Sequence, residues 1–97
     1  MTPLTPEHVF FIEAIENKLR LACSYHGKRR LIEPQCYGMG YRGRELVRVH
    51  QLRGGGDREP LFFASDIEDV MVVGSFTKPG PHYTRDDSAM ATIFAQL

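Results

Sequence analysis

The chain has 97 residues, 42% of them hydrophobic and 25% charged, and its formal net charge is zero. The length predicts a single domain, residues 1–97, and the composition excludes a disordered chain and an integral membrane protein. No apolar run approaches the roughly 20 residues that span a bilayer and the N-terminal MTPLTPEH lacks a secretory signal, so we expect a cytoplasmic protein without a membrane partner.

A helix is the first predicted element, and residues 1–5 at the start of the chain are expected to be disordered. Thr5-Pro6-Glu7 is typical of a helix start, with a capping hydroxyl, a proline at the first helical position and an acidic residue in the first turn. The apolar residues that follow recur at helical spacing: Phe11, Ile12, Ile15 and Leu19.

Five strands are predicted after the helix, because short runs rich in apolar, β-branched and aromatic residues alternate with turn residues. These runs are residues 19–25, 30 to about 41, 45–52, 61–65 and 69–76. The second strand must bend, since Pro34, Gly38 and Gly40 interrupt its ladder of hydrogen bonds. RGGGDREP, residues 53–60, is expected to be a flexible loop.

The C-terminal part is predicted to contain a linker, residues 77–85, and then a short helix. The helix is indicated by apolar residues at helical spacing: Met90, Ile93, Phe94 and Leu97. The order of elements favours a mainly β fold, in which about five antiparallel strands form a small curled barrel between an N-terminal and a C-terminal helix.

The charges are unevenly distributed. Residues 18–58 contain ten basic and three acidic side chains, whereas the remainder of the chain contains two basic and nine acidic ones. A basic middle between acidic ends is suited to an anionic partner. The alternative is that the two parts neutralise each other inside one fold or across a dimer.

Catalytic and cofactor motifs are absent from the sequence, so we expect no enzyme activity, no cofactor and no metal. The Gly54–Gly56 run lacks the Lys-Ser/Thr pair of a phosphate-binding loop. The acidic pairs Asp86-Asp87 and Glu68-Asp69 suit a helix start and a turn. A dyad of Cys36 with His50 stays open as a third hypothesis, as does a disulfide in place of two buried thiols.

Binding chemistry is better represented. Arg44, Arg48 and His50 occupy alternate positions of one strand and should share a face, which Arg30 could join across the hairpin. Guanidinium groups on a rigid strand suit phosphate or carboxylate recognition, and tyrosines offer faces on which a base could stack. The alternative is a solvated basic face in which Glu33 pairs with an arginine.

Four segments resemble the WYL domain in its compact stand-alone bacterial form. They are AI-x-x-x-x-x-L-x-C-x-Y (14–25), R-x-I-E-P-x-x-Y-G (30–38), R-G-x-x-L-V-R-V-H-Q (42–51) and L-F-F-A-S-D-I (61–67), and the tail 76–97 is similar as well. The name-giving Trp-Tyr-Leu triplet aligns with Arg44-Glu45-Leu46, so only the leucine is retained.

The resemblance implies an Sm-like small β-barrel and a ligand-sensing role, often in bacterial transcription regulators and in proteins linked to phage defence. It also implies a basic groove for nucleic acid or nucleotide-like anions. The matching polar residues are Tyr25, Arg30, Glu33, Arg48, Gln51 and Asp66. Because the chain has no helix-turn-helix pattern, a regulatory role is expected to involve a protein partner or sensing alone.

The leading hypothesis is therefore a non-enzymatic module that binds an anionic nucleotide or single-stranded nucleic acid on an arginine-rich strand face. Its predicted ligand-binding residues are Tyr25, Arg30, Glu33, Arg44, Arg48, His50 and Gln51. The alternative hypothesis is a protein–protein interaction or homodimerisation module whose arginines form structural ion pairs.

Overall fold

The computed structural model describes residues 8–97, so the predicted helix start and the predicted disorder of residues 1–5 lie outside the described residues. The described part contains one α-helix, six strands and one turn of 3₁₀ helix. In chain order these are α1 (His8–Glu16), β1 (Leu19–Tyr25), β2 (Lys28–Gly40), β3 (Glu45–Arg53), β4 (Leu61–Phe63), the 3₁₀ turn (Ala64–Asp66), β5 (Ile67–Ser75) and β6 (Met90–Gln96). The predictions of a mainly β fold and of an N-terminal helix are confirmed.

The strands form one antiparallel sheet. Five of them follow the order β4-β3-β2-β1-β5, and β6 pairs with β2 off this path. Across residues 8–97, β4 and β5 at the two ends of the order form no ladder with each other. The sheet is therefore open, whereas the sequence predicts a closed barrel.

β2 is the longest strand, and its two halves have different partners. Residues 28–32 pair with β1 and residues 36–40 pair with β6, while β3 follows β2 along most of its length. The ladder with β3 passes from Pro34 to Cys36, leaving Gln35 without a partner there. Proline donates no N–H, and an extra residue bends a strand. Pro34 and the extra residue Gln35 therefore explain the bend that the sequence predicts in β2.

The C-terminal segment Met90–Gln96 is a strand, so the prediction of a C-terminal helix is wrong. β6 pairs with β2 in a ladder that skips Ala91 and Phe94. These extra residues break the two-residue alternation of a strand, and the apolar residues then fall at intervals that imitate a helical stripe. Residues 77–85, the predicted linker, contain no helix or strand.

Two apolar clusters form the interior. We call the sheet face that packs against α1 the inner face and the opposite one the outer face. The larger cluster lies at the inner face, and its buried members include Phe11, Ile15, Leu21, Tyr37 and Val49. The smaller cluster on the outer face contains Cys36, Leu46 and Met90. In residues 8–97 no helix is both long enough and apolar enough to cross a bilayer.

Candidate functional site

The seven predicted ligand-binding residues do not form one site, because β3 directs them to both faces of the sheet. Val47 and Gln51 lie on the inner face, whereas Arg48 and His50 alternate with them and lie on the outer face. Arg30 donates a hydrogen bond to Gln51, so it belongs to the inner face. The structure thus separates Arg30 from Arg48 and His50, with which the sequence grouped it.

Arg30, Tyr25 and Gln51 meet at the rim of the inner face. Arg30 Nη1 donates to Gln51 Oε1 at 3.0 Å, and Nη2 donates to the Tyr25 carbonyl at 3.2 Å. The guanidinium carbon lies 5.4 Å from the ring centroids of both Tyr25 and Phe62, which stack at 3.8 Å. The structure therefore brings the three residues together, as predicted. Two of the Arg30 nitrogens, however, are bonded to Gln51 and Tyr25 and not directed at a ligand site.

The glycine-rich loop after β3 closes over this rim group. Gly54 has a φ of +111°, a conformation that glycine adopts without strain. A Cβ atom on Gly54 would lie 2.6 Å from the Arg29 carbonyl oxygen and 2.9 Å from Arg30 Cα, both backbone atoms, and one on Gly55 would lie 3.0 Å from Arg30 Nη1. Glycine is thus needed for the close approach of the loop, and the loop leaves Arg30 little room for a ligand.

Asp66, which the resemblance adds to the predicted set, lies at an exposed corner beside Tyr25. Its Oδ2 atom is 2.9 Å from His26 Nε2, and the His26 ring stacks on Tyr25 with centroids 4.0 Å apart. Exposed pairs of this kind contribute little to stability.

Glu33 is a buried carboxylate on the outer face, with 5% of its surface exposed. Arg20 Nε donates to Glu33 Oε2 at 2.8 Å, and His50 Nδ1 lies 3.3 Å from Glu33 Oε1. A buried carboxylate is stable only with such partners. Glu33 therefore takes up Arg20 Nε, lies beside His50 Nδ1 and balances the charge of Arg20.

Arg48 is covered by the segment between β5 and β6. Its Nε and Nη2 donate to the two carboxylate oxygens of Asp87 at 2.8 and 3.4 Å, and its Nη1 donates to the Glu59 carbonyl at 3.1 Å. Burial raises the pKa of Asp87, but hydrogen bonds from Arg48 and the Ala89 N–H outweigh it, so the pKa lies below its ordinary value of 3.8. Arg48 is thus neutralised by Asp87, and both line an open cavity of about 260 Å³.

Gln35, the bulge residue of β2, anchors the same covering segment from beneath. The Gly80 N–H donates to Gln35 Oε1 at 2.6 Å, and Gln35 Nε2 donates to Glu59 Oε1 at 2.9 Å. A Cβ atom on Gly80 would lie 3.0 Å from His50 Cγ, so the segment packs closely on the sheet. We call the resulting set the outer-face network: Arg20, Glu33, Gln35, Arg48, His50, Glu59 and Asp87.

Arg44 lies apart from this network, in an open cleft between the β2–β3 turn and β4. The cleft has a volume of about 400 Å³. We call it the Arg44 cleft, and its lining includes Tyr41, Arg42, Arg44, Leu46, Leu61 and Phe63. The Arg44 guanidinium carbon lies 3.9 Å from the Phe63 ring centroid. Among the described residues, no acidic side chain lines the cleft.

The two cysteines are buried free thiols. Burial raises the pKa of both Cys23 and Cys36 to about 11, so both thiols are protonated at neutral pH, which is typical of structural cysteines. Cys36 lies opposite Arg48 in the ladder, and His50 lies opposite Glu33. Within residues 8–97, no group of three or more His, Cys, Asp and Glu side chains could hold a metal ion.

The sequence did not identify the residues that bond to Arg48 or the residues that line the cleft with Arg44. The helix prediction assigns Asp87 to a helix start, whereas Asp87 is the ion-pair partner of Arg48. Gln35 carries no local signal, because its role depends on contacts across the chain. For the Arg44 cleft a signal was present, since Arg42 and Arg44 flank one turn next to Tyr41.

Comparison of the chain with protein-family models, with curated proteins and with solved structures finds no match. The function is therefore argued from the geometry of the chain itself.

Proposed function

We propose that this protein is a non-enzymatic module that senses an anionic ligand, a nucleotide or a single-stranded nucleic acid, in the Arg44 cleft. The proposal rests on which arginines form ion pairs and which do not. Arg42 and Arg44 are exposed and form no ion pair with any residue of 8–97, whereas Arg20 and Arg48 are each bonded to a carboxylate.

The two exposed arginines suit a phosphate group. A guanidinium makes two parallel, charge-assisted hydrogen bonds to such a group. Arg44 uses one nitrogen on the neutral Ser65 hydroxyl at 3.2 Å, which leaves its other donors for a ligand. Because no acidic side chain of the described chain lines the cleft, a phosphate meets no repulsion there.

The apolar part of the cleft suits a nucleobase. Leu46 and Leu61 contribute aliphatic surface, Phe63 is half-buried, and Tyr41 is 76% exposed. Stacking of a base on an aromatic side chain contributes about 1–3 kcal/mol. The volume of about 400 Å³ lies within the roughly 300–1,000 Å³ that is usual for small-ligand sites.

The resemblance to the WYL domain supports the same surface. The positions that align with the name-giving triplet are Arg44-Glu45-Leu46, and the first and third of them line the cleft. An N-terminal helix followed by an antiparallel sheet with a bent second strand supports kinship with the Sm-like barrel. In this proposal the sheet is an open form of that barrel with β6 added to β2.

An interaction or homodimerisation module with its arginines in structural ion pairs is the second candidate. It is favoured by the pairs of Arg20 with Glu33 and of Arg48 with Asp87, which take two arginines out of ligand recognition. It predicts that the native protein retains neither nucleotides nor single-stranded nucleic acid.

The proposal is tested by fluorescence anisotropy with a fluorescein-labelled oligothymidylate, with mononucleotides as competitors, at two salt concentrations. We expect binding that weakens as salt rises, because phosphate neutralisation releases counterions. Replacement of Arg44 by alanine should weaken binding by about tenfold or more without loss of stability, since it removes a bidentate contact.

Arg53→Ala is the matched control, because Arg53 is also exposed, lies at the other end of β3 and forms no ion pair with residues 8–97. It should retain most of the affinity. Equal losses for Arg44→Ala and Arg53→Ala would indicate attraction to net charge alone. That result, or no binding by the native protein, would contradict the proposal.

A further inference from the structure

The outer edge of β5 is a second surface that the proposed function does not use. β5 bonds to β1 on one side, and on its other side it pairs with no strand among residues 8–97. A nine-residue edge presents a row of unpaired N–H and C=O groups, which is a template for another strand. β4, at the opposite end of the strand order, is only three residues long.

The middle of this edge is exposed and apolar. Met71, Val72 and Val73 are 62%, 49% and 47% exposed. Native edge strands are usually blunted by a charged residue or a proline, but Val70–Ser75 contains neither. Two bulges, at Val73 and at Asp69-Val70, twist the edge, and neither adds a charge to Val70–Ser75.

The two ends of the edge carry opposite charges. Glu68 and Asp69 lie at the start of β5, and Arg29 reaches only the main-chain carbonyl of Asp69. At the other end, Lys78 follows β5 in the chain, and Lys18 lies one strand further in, before β1, where its carbonyl accepts a hydrogen bond from the Phe76 N–H. None of these four charged side chains is in an ion pair with a residue of 8–97: Glu68, Asp69, Lys18 and Lys78.

We propose that β5 pairs antiparallel with β5 of a second copy of this chain around a two-fold axis near Val72. This arrangement places the acidic end of each copy against the basic end of the other, and it covers the apolar middle of both. A parallel arrangement would bring like charges together, which is unfavourable. The proposal is independent of the Arg44 cleft, because the two surfaces share no residue.

The test is sedimentation velocity of the full chain from about 1 µM to about 1 mM, the range in which weak interfaces dissociate. We expect a monomer–dimer equilibrium. The acidic-end variant Glu68→Lys/Asp69→Asn and the basic-end variant Lys18→Glu/Lys78→Glu should each weaken self-association by about tenfold or more, because like charges then face each other.

A mixture of the two variants provides the decisive result. In the mixed dimer each altered end meets an end of opposite sign, so the mixture is expected to dimerise when neither variant does so alone. Arg53→Glu/Arg58→Glu changes the net charge as much as the basic-end variant does, at exposed residues away from β5, and should dimerise like the native chain.

Amide hydrogen exchange gives a reading that does not depend on these variants. In the native protein, amides of Val70–Ser75 should become more protected as the concentration rises. A monomer at every concentration, an oligomer larger than a dimer, unchanged protection of Val70–Ser75, or a mixture that fails to dimerise although both variants fold would overturn the proposal. Preferential pairing with an unrelated strand-forming peptide would overturn it as well.

Discussion

The outer-face network and the Arg44 cleft draw their arginines from the same basic part of the sequence, yet their electrostatic surroundings differ. In the network, Arg20 and Arg48 each donate to a carboxylate at 2.8 Å. In the cleft, Arg42 and Arg44 are exposed, and Arg44 contacts the Phe63 ring and the Ser65 hydroxyl. The first region is neutralised within the fold, and the arginines of the second have no ion-pair partner among residues 8–97.

Tertiary contacts, rather than position on a strand, therefore decide which arginine is available. Arg48 and Asp87 are 39 residues apart in the chain, and Arg20 and Glu33 are 13 apart. Both carboxylates are largely buried and need their arginines as partners. A ligand that bound Arg48 would have to displace Asp87, whereas one that bound Arg44 would displace only a weak, exposed hydrogen bond.

The largest effect is expected from Gly38→Ala, which forces β6 away from β2. A Cβ atom on Gly38 would collide with the Thr92 carbonyl and lie 3.2 Å from Ile93 Cα, both backbone atoms of β6. Overpacking of this kind costs about 1–3 kcal/mol, occasionally more, and urea unfolding measures it. Gly56→Ala, which has open space around it, should change stability by less than about 0.5 kcal/mol. Equal stability of the two variants would contradict the pairing of β6 with β2.

A smaller loss is expected from Asp87→Asn, because Arg48 then keeps only neutral acceptors. A hydrogen bond to a charged group contributes about 1.5–3 kcal/mol and a neutral one about 0.5–1.5 kcal/mol, so the exchange should cost about 1 kcal/mol at neutral pH. The pKa of Asp87 is lowered in the fold, so this contribution is fully present above its ordinary value of 3.8 and is lost as the pH falls through the folded pKa. The difference in unfolding free energy between the native protein and Asp87→Asn should therefore become smaller in acid. A difference that does not change with pH would contradict the Arg48–Asp87 ion pair. Asp86→Asn, next to it and exposed, serves as the control.

The inner part of the fold follows from local sequence patterns. The first three strands are predicted close to their observed bounds, because alternation of Leu21, Cys23 and Tyr25 sets the buried side of β1. The helix is predicted as well, but it ends at Glu16, and Leu19, which the helical spacing included, begins β1. Pro34 has no N–H to donate, so the bend of β2 is predicted as well. These features depend on neighbours in the chain and on the covalent geometry of single residues.

β6 shows why the remaining part could not be predicted. Met90 and Ile93 contact the outer cluster, whereas Phe94 and Leu97 contact the inner one. A strand that packs on both faces and carries two extra residues loses the two-residue period, so its apolar pattern matches a helix. The edge of β2 that binds β6 is known only once the sheet has formed.

The residues of the site were predictable from the sequence, but their distribution over the two faces of the sheet was not. Strand alternation places Arg48 and His50 on one face, as the structure shows. Alternation alone could not tell that Arg30 lies on the other face, because that assignment depends on the register of β2 against β3. The Arg44 cleft needed the position of Phe63 on β4, which is 19 residues further along the chain than Arg44.

The most direct test of the central claim, that Arg42 and Arg44 of the cleft bind the ligand whereas the ion-paired Arg20 and Arg48 are structural, is an NMR titration of the arginine Nε–H signals with adenosine monophosphate. We predict that the signals of Arg42 and Arg44 shift with nucleotide concentration, while those of Arg20 and Arg48 stay in place. Shifts confined to Arg20 and Arg48, or no shift at any arginine, would contradict the account.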